Sequence, residues 1–184
     1  SYFGDTKIDG VPGTSAPIEL LFLEVAGSST GHLFPTGSAL NRVQDIEVTC
    51  MDVAMPMVIA RASDFGLSGM ETREELDANK EFFKRMESIR IEAGELMGMG
   101  DVSQSVTPKF GLLNSVGGIN NIGCRYFMPW ETHPTVAVTG SQCLASCALA
   151  RGTMAEGLMQ TDGSSPALVT LHHPMGTMDV LIDY

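Results

Sequence analysis

The chain is short of positive charge. It has 11 Lys and Arg against 22 Asp and Glu, a formal net charge of −11. An acidic surface repels nucleic-acid backbones and anionic membranes, so neither nucleic acid nor membrane is expected as a partner. No stretch approaches the ~18 consecutive apolar residues of a membrane span. The opening Ser-Tyr-Phe-Gly-Asp-Thr-Lys has neither the charged nor the apolar region of a signal peptide. The four cysteines, Cys50, Cys124, Cys143 and Cys147, form no C-x-x-C pair and no zinc-spaced group with histidine. Free thiols in a cytoplasmic protein, with no metal, are the expectation. Phosphate-loop, dinucleotide, serine-elbow, zinc-protease and EF-hand patterns are all missing. Aromatics are scarce at 7%, and the 12 methionines point to a soft aliphatic core.

What is present suffices for one domain. Apolar residues make up 43% of 184 residues, enough to bury a core. The apolar run 18–25 is short for a helix and reads as a buried strand. Residues 46–51 alternate as a strand, Pro56 interrupts it, and 57–62 resume as a second. Residues 72–97 predict one long helix. Phe82, Met86, Ile89, Ala93 and Met97 form its apolar stripe, Thr72 with Glu75 a capping box, and the surrounding acids a solvated face. Strands are expected at 110–113, 123–128 and 135–138, then a buried helix over 143–150, then two strands at 167–171 and 178–182. The sum is an α+β domain, a curved, mostly antiparallel sheet around a central helix.

The site with most physical support is the turn into that helix, Thr139, Gly140 and Ser141. A helix N-terminus holds free N–H groups and partial positive charge, and so takes carboxylate or phosphate without Lys or Arg. The alternative is that Thr139 or Ser141 simply caps the helix. His133, six residues upstream, can contact a bound anion or relay a proton. Thr36 and Gly37 offer a second turn with backbone donors. His172 and His173 are expected to be structural, and Cys143 and Cys147 to be inert packing.

Five stretches in order carry a resemblance: 8–18, 31–37 (Gly-His-Leu-Phe-Pro-Thr-Gly), 46–56, 133–141 (His-Pro-Thr-Val-Ala-Val-Thr-Gly-Ser) and 173–176 (His-Pro-Met-Gly). Together they resemble the 2-methylaconitate isomerase (PrpF) family, most of all its 4-oxalomesaconate tautomerase branch. The resemblance implies a diaminopimelate epimerase-like fold of two similar halves with a cleft between them. This chain matches the second half only, as a fragment or one piece of a split enzyme, with the first half as its missing partner. The Gly-Gly-Thr-Ser-Lys and Asn-Cys-Gly-Asn type motifs of the first half do not occur here, and the family's proposed proton-transfer Lys and Cys belong there. Thr139 stands where the epimerases place their second catalytic Cys. Met55-Pro56 stands where they have a substrate-touching Asn-Pro, and the Asn is absent. His133 matches the family's histidine upstream of the Thr-Gly turn.

The resemblance implies an isomerase that shifts a proton on an unsaturated di- or tricarboxylate without a cofactor. A carboxylate-binding module without catalysis, or a pseudoenzyme subunit, is the alternative. Thr139, Gly140, Ser141, His133, Met55, Thr36 and Gly37 are the candidate substrate contacts, and the base is expected in the other half. The chain is also expected to expose the apolar face that would meet that half, and a homo-oligomer is compatible with such a face.

Overall fold

A computed structural model describes residues 3–18 and 20–184. Strands β1 (Asn41–Val43), β2 (Ile46–Asp52) and β3 (Pro56–Arg61) lead through a short 3-10 turn into helices α1 (Arg73–Ala78) and α2 (Lys80–Leu96). Strands β4 (Lys109–Asn114) and β5 (Asn121–Phe127) follow. Helix α3 (Val138–Leu149) and strands β6 (Ala167–His173) and β7 (Gly176–Ile182) complete the chain. The strands make one seven-stranded sheet in sequence order. Pairing is antiparallel except at β3–β4 and β5–β6, where helices make the crossovers. The mixed α+β architecture with a mostly antiparallel sheet agrees with the sequence reading.

The topology explains where the helices lie. Both crossovers step the same way across the sheet, but β4 and β5 run antiparallel. A right-handed crossover then sends α1–α2 to one face and α3 to the other. Side-chain alternation divides the core accordingly. Val48, Cys50, Val58, Ala60, Phe110, Leu112 and Phe127 pack with Leu76, Phe82, Met86 and Ile89 of α1–α2. Met51, Met57, Ile59, Leu113, Cys124, Tyr126, Val169 and Leu171 pack with Cys143, Leu144, Ala145 and Cys147 of α3. Gly111 has no side chain because Leu144 occupies the space, 2.7 Å from where a Cβ would stand.

Four expectations are corrected. The 72–97 helix is two helices, broken at Asn79 (φ −83°, ψ 81°), whose side chain caps α2 by accepting from the Phe82 N–H at 3.0 Å. Its capping box and stripe stand: Thr72 and Glu75 exchange hydrogen bonds, and Phe82, Met86, Ile89, Ala93 and Met97 are buried. Residues 135–138 form no strand, and the buried helix starts five residues earlier than expected, at Val138. β-branched Thr135, Val136 and Val138 gave the stretch its strand character, but no strand neighbours it. The two strands expected on either side of Pro56 are present as β2 and β3, with Pro56 itself the first residue of β3. The run 18–25, apart from residue 19, which lies outside the described residues, is no buried strand: Ile18 is 85% and Leu21 83% exposed, with Leu20 and Leu23 exposed beside them.

That exposed run has a measurable consequence. Contiguous apolar side chains in water favour association. At micromolar concentration the 184-residue chain is expected to elute larger than a monomer, and the double variant Leu21→Asp, Leu23→Asp to elute as one. Sedimentation showing a monomeric parent chain would contradict this.

Candidate functional site

The N-terminal end of α3 is where four sequence candidates and several unforeseen residues meet. Ala137, extended at φ −70° and ψ 147°, is the N-cap, and no side chain caps the helix. The reading of Thr139 or Ser141 as a cap is therefore overturned. Ser141 lies inside the helix: its N–H donates to Ala137 O at 2.7 Å and its hydroxyl to Val138 O at 2.7 Å. The first-turn N–H groups of Val138, Thr139 and Gly140 have no carbonyl one turn back. The donor set is thus Val138, Thr139 and Gly140 rather than Thr139 to Ser141.

Met55 is held at this end from two sides. The Tyr126 hydroxyl and the Thr139 hydroxyl each donate to its sulfur at 3.4 Å. Gly140 lies against the Tyr126 ring, where a Cβ would come within 2.5 Å. Burial pushes the Tyr126 phenol up to about 12, helped by the neighbouring Cys143, so it stays a neutral donor. The His133 ring meets Tyr126 edge-on, with centroids 5.6 Å apart. Its Nδ1 accepts from the Thr135 N–H at 3.0 Å. A neutral imidazole that accepts at Nδ1 carries its proton on Nε2, so His133 presents an N–H donor there. The 9–13 turn packs on the same edge: a Cβ at Gly10 (φ +86°) would meet Thr135 at 2.8 Å, and Asp9 accepts from the Thr177 N–H at 2.9 Å.

Lys109 was not a sequence candidate. It pairs with Met57 and alternates with Gly111, whose open side faces Leu144. Its side chain therefore leaves the sheet on the α3 face, and its charge is felt at His133. Among the described residues its ammonium has neither an ion pair nor a hydrogen bond. Burial, then the Arg90 charge, lowers its pKa. Nothing marked it in sequence, because only strand register brings it beside α3.

Thr36 and Gly37 are not brought to this end. The Thr36 hydroxyl donates to Asn41 Oδ1 at 2.8 Å, and the Gly37 N–H donates to Phe34 O at 2.9 Å, closing a local turn. That loop continues to Ala39, whose carbonyl accepts from Thr49, next to Met154 beyond the C-terminal end of α3. The cysteines are free and buried. Burial lifts the Cys147 thiol to about 12 and Cys143 further still, so neither is a nucleophile at neutral pH. His172 bonds Asn121 at 2.7 Å, and His173 Nδ1 accepts from the Met175 N–H at 3.2 Å, both structural contacts. Among the described residues no group of three or more His, Cys, Asp or Glu is placed to hold a metal ion.

Both His133 and His173 have their pKa lowered, first by burial and then by neighbouring positive charge. The unfolded chain then binds protons that the folded chain refuses, so stability is full above the ordinary histidine pKa of ~6.5 and falls as pH drops through the lower folded values. Urea melts between pH 8 and 5 are expected to show this loss, and the double variant His133→Asn, His173→Asn to flatten it. An unchanged slope in the variant would contradict the assignment.

Comparison with known proteins identifies the family. The family model described as PrpF protein matches residues 1–184. The putative isomerase YbhH of Escherichia coli is 42% identical over 97% of this chain and 51% of its own length. The 4-oxalomesaconate tautomerase of Pseudomonas putida is 40% identical over 98% of this chain and 50% of its own. The crystal structure of methylitaconate-delta-isomerase superposes with a TM-score of 0.87 at 28% identity, covering 97% of this chain and 52% of that one. The chain therefore spans about half the length of the curated relatives it matches.

Proposed function

The chain belongs to the PrpF family, and from that premise we propose that it forms the substrate-holding half of a cofactor-independent isomerase acting on an unsaturated di- or tricarboxylate. A 4-oxalomesaconate-type compound is the best candidate, by likeness to the 40% identical tautomerase. The observation that carries this reading is the collection of unspent donors at one point: three first-turn N–H groups, the Nε2–H of His133 and the unpaired Lys109. In a chain of net charge −11, that is the place where a polyanion is attracted. The curved sheet around α3 is read as one half of a diaminopimelate epimerase-like fold, with the cleft at this end of α3.

The chemistry follows from the donors. A carbon acid beside a carbonyl loses a proton, and the electron pair moves into an enolate or extended dienolate. The proton then returns at another carbon. Hydrogen bonds aimed at the oxygen where charge develops lower that barrier. His133 is neutral near pH 7, because burial holds its pKa down, and its Nε2–H suits that oxygen. The α3 amides hold a carboxylate. The residues gathered here are donors at neutral pH, so the base is assigned to the part of the relatives' length that this chain does not span.

The test is in two parts. Titration with cis-aconitate is expected to shift the amide resonances of Val138, Thr139 and Gly140. Thr139→Pro removes one of these donors in the first turn, where proline is tolerated. It is expected to weaken binding about tenfold or more, the worth of a hydrogen bond to a charged group, with the fold kept. In deuterium oxide, exchange into the ligand is expected only after the other half of a relative is added. Binding without exchange in the reconstituted pair would favour the non-catalytic module instead.

A further inference from the structure

The sheet ends differently at its two sides. At one side β1 is three residues long, whereas at the other β7 runs for seven and pairs only with β6. Thr177 spends its N–H on the Asp9 carboxylate at 2.9 Å, outside the β6 pairing. In an antiparallel pair, residues whose backbone groups face the partner alternate with residues whose groups face away. The N–H and C=O groups of Asp179 and Leu181 therefore also point away from β6, and among the described residues no strand meets them there. Proteins blunt such an edge with short length, proline, lysine or a bulge. β7 has none of these: it pairs residue for residue with β6 and contains no Pro, Lys or Arg. The core is open along the same edge, where Met178, Val180 and Ile182 pack on the α3 side yet stay half-exposed. Charge is one-sided too. Residues 152–184 carry Glu156, Asp162, Asp179 and Asp183 and no Lys or Arg.

We infer that a further β-strand pairs with the outer edge of β7, apolar on the α3 side and basic on the opposite face, and that it comes from the part of the family's length that this chain does not span. Its main chain takes the outward backbone groups of Asp179 and Leu181. Its apolar side chains cover the open flanks of Met178, Val180 and Ile182. Its other side chains stand beside Asp179, where a cation across the strands is favoured and a second acid is not. The same rule disfavours a second copy of β7 as the occupant, because pairing the strand with itself about its centre sets Asp179 against Asp179. The source is argued from length: the relatives are about twice as long as the stretch they share with this chain, so each holds polypeptide available to this edge. The inference stands apart from the carboxylate-binding reading and does not depend on it.

Hydrogen exchange read by NMR is the test, on the Leu21→Asp, Leu23→Asp variant so that contact through 18–25 does not intervene. Alone, this chain is expected to exchange the Asp179 and Leu181 amides fast, and those of Met178 and Val180, which face β6, slowly. When it is coexpressed with the part of the 40% identical tautomerase that it does not match, exchange at Asp179 and Leu181 is expected to slow about tenfold or more, the worth of a backbone hydrogen bond. An acetylated octapeptide alternating valine and arginine is expected to slow the same two amides, and its valine–glutamate counterpart to leave them unchanged. Asp179→Lys is expected to weaken the arginine peptide about threefold or more. Slow exchange at both amides in the dilute chain alone would overturn the inference, because β7 would then already have a partner. Fast exchange in the coexpressed pair would overturn it too, and protection by the arginine peptide would in that case assign the edge to a separate protein. Equal effects of the two peptides would overturn the basic character of the strand.

Discussion

Arg90→Ala is expected to destabilise the chain by about 3–5 kcal/mol, the range for removing one partner of a buried charge network. Arg90 is fully buried within α2, at a position where a helix normally places an apolar residue. Its guanidinium grips Glu87 through two hydrogen bonds of 2.7 Å. It also donates to Val102 O at 2.9 Å and Pro108 O at 3.2 Å. Two carbonyls of the 97–108 connection thus depend on one side chain. Glu87 in turn accepts from the Trp130 indole at 3.2 Å, so removing Arg90 also leaves its partly buried carboxylate without a cation. Lysine cannot make this fork, because its ammonium presents a single point of charge. Arg90→Lys is therefore expected to recover less than half of the loss. Urea denaturation measures both, and a loss below 1 kcal/mol for Arg90→Ala would refute the network's importance.

Asp52→Ala is expected to cost about 2–4 kcal/mol, on the scale of hydrogen bonds to a charged acceptor. This carboxylate is fully buried at the end of β2. It accepts from the Ser29 and Thr30 amides at 2.8 and 2.7 Å, and from the Ser28 and Thr30 hydroxyls at 3.2 and 2.9 Å. This side chain holds the middle of the 27–33 loop, while the Asp52 backbone holds its two ends through Gly27 N–H and Leu33 O. The same region steadies Met55, because the Ala54 N–H donates to Val25 O at 2.8 Å in the turn that presents Met55 to Thr139. Hydrogen exchange at Ser29 and Thr30 is expected to accelerate strongly in the variant, and cis-aconitate binding to weaken with it. Asp52→Asn keeps one acceptor oxygen but turns an NH2 toward donors, so an intermediate loss is expected. Full protection of Ser29 and Thr30 in Asp52→Ala would show that the loop is held by something else.

These residues illustrate what the sequence could and could not disclose. The α2 stripe was legible because its 3.6-residue period depends only on neighbours along the chain. The buried character of α3 was legible from its small apolar residues, although its first turn was misplaced. The family resemblance rested on several short motifs in order, and the PrpF match over the whole chain supports it. Arg90 and Asp52 were invisible because a charge enters a core only where particular carbonyls or amides converge, and tertiary structure alone decides that. Lys109 escaped for the same reason, lying mid-strand and reaching α3 through register. The 18–25 run was misread because apolar composition tells what a segment avoids, namely water, and not whether a surface exists to cover it.

The sheet also acts as a partition. Arg90 lies on α2, which packs on one side of it, and Thr139 on α3, which packs on the other. Arg90 and Thr139 share no hydrogen-bond partner, so the effects of substituting them should add. Under the proposed function, ligand preference can drift at Thr139 while thermal robustness is set at Arg90, which gives a lineage two dials rather than one.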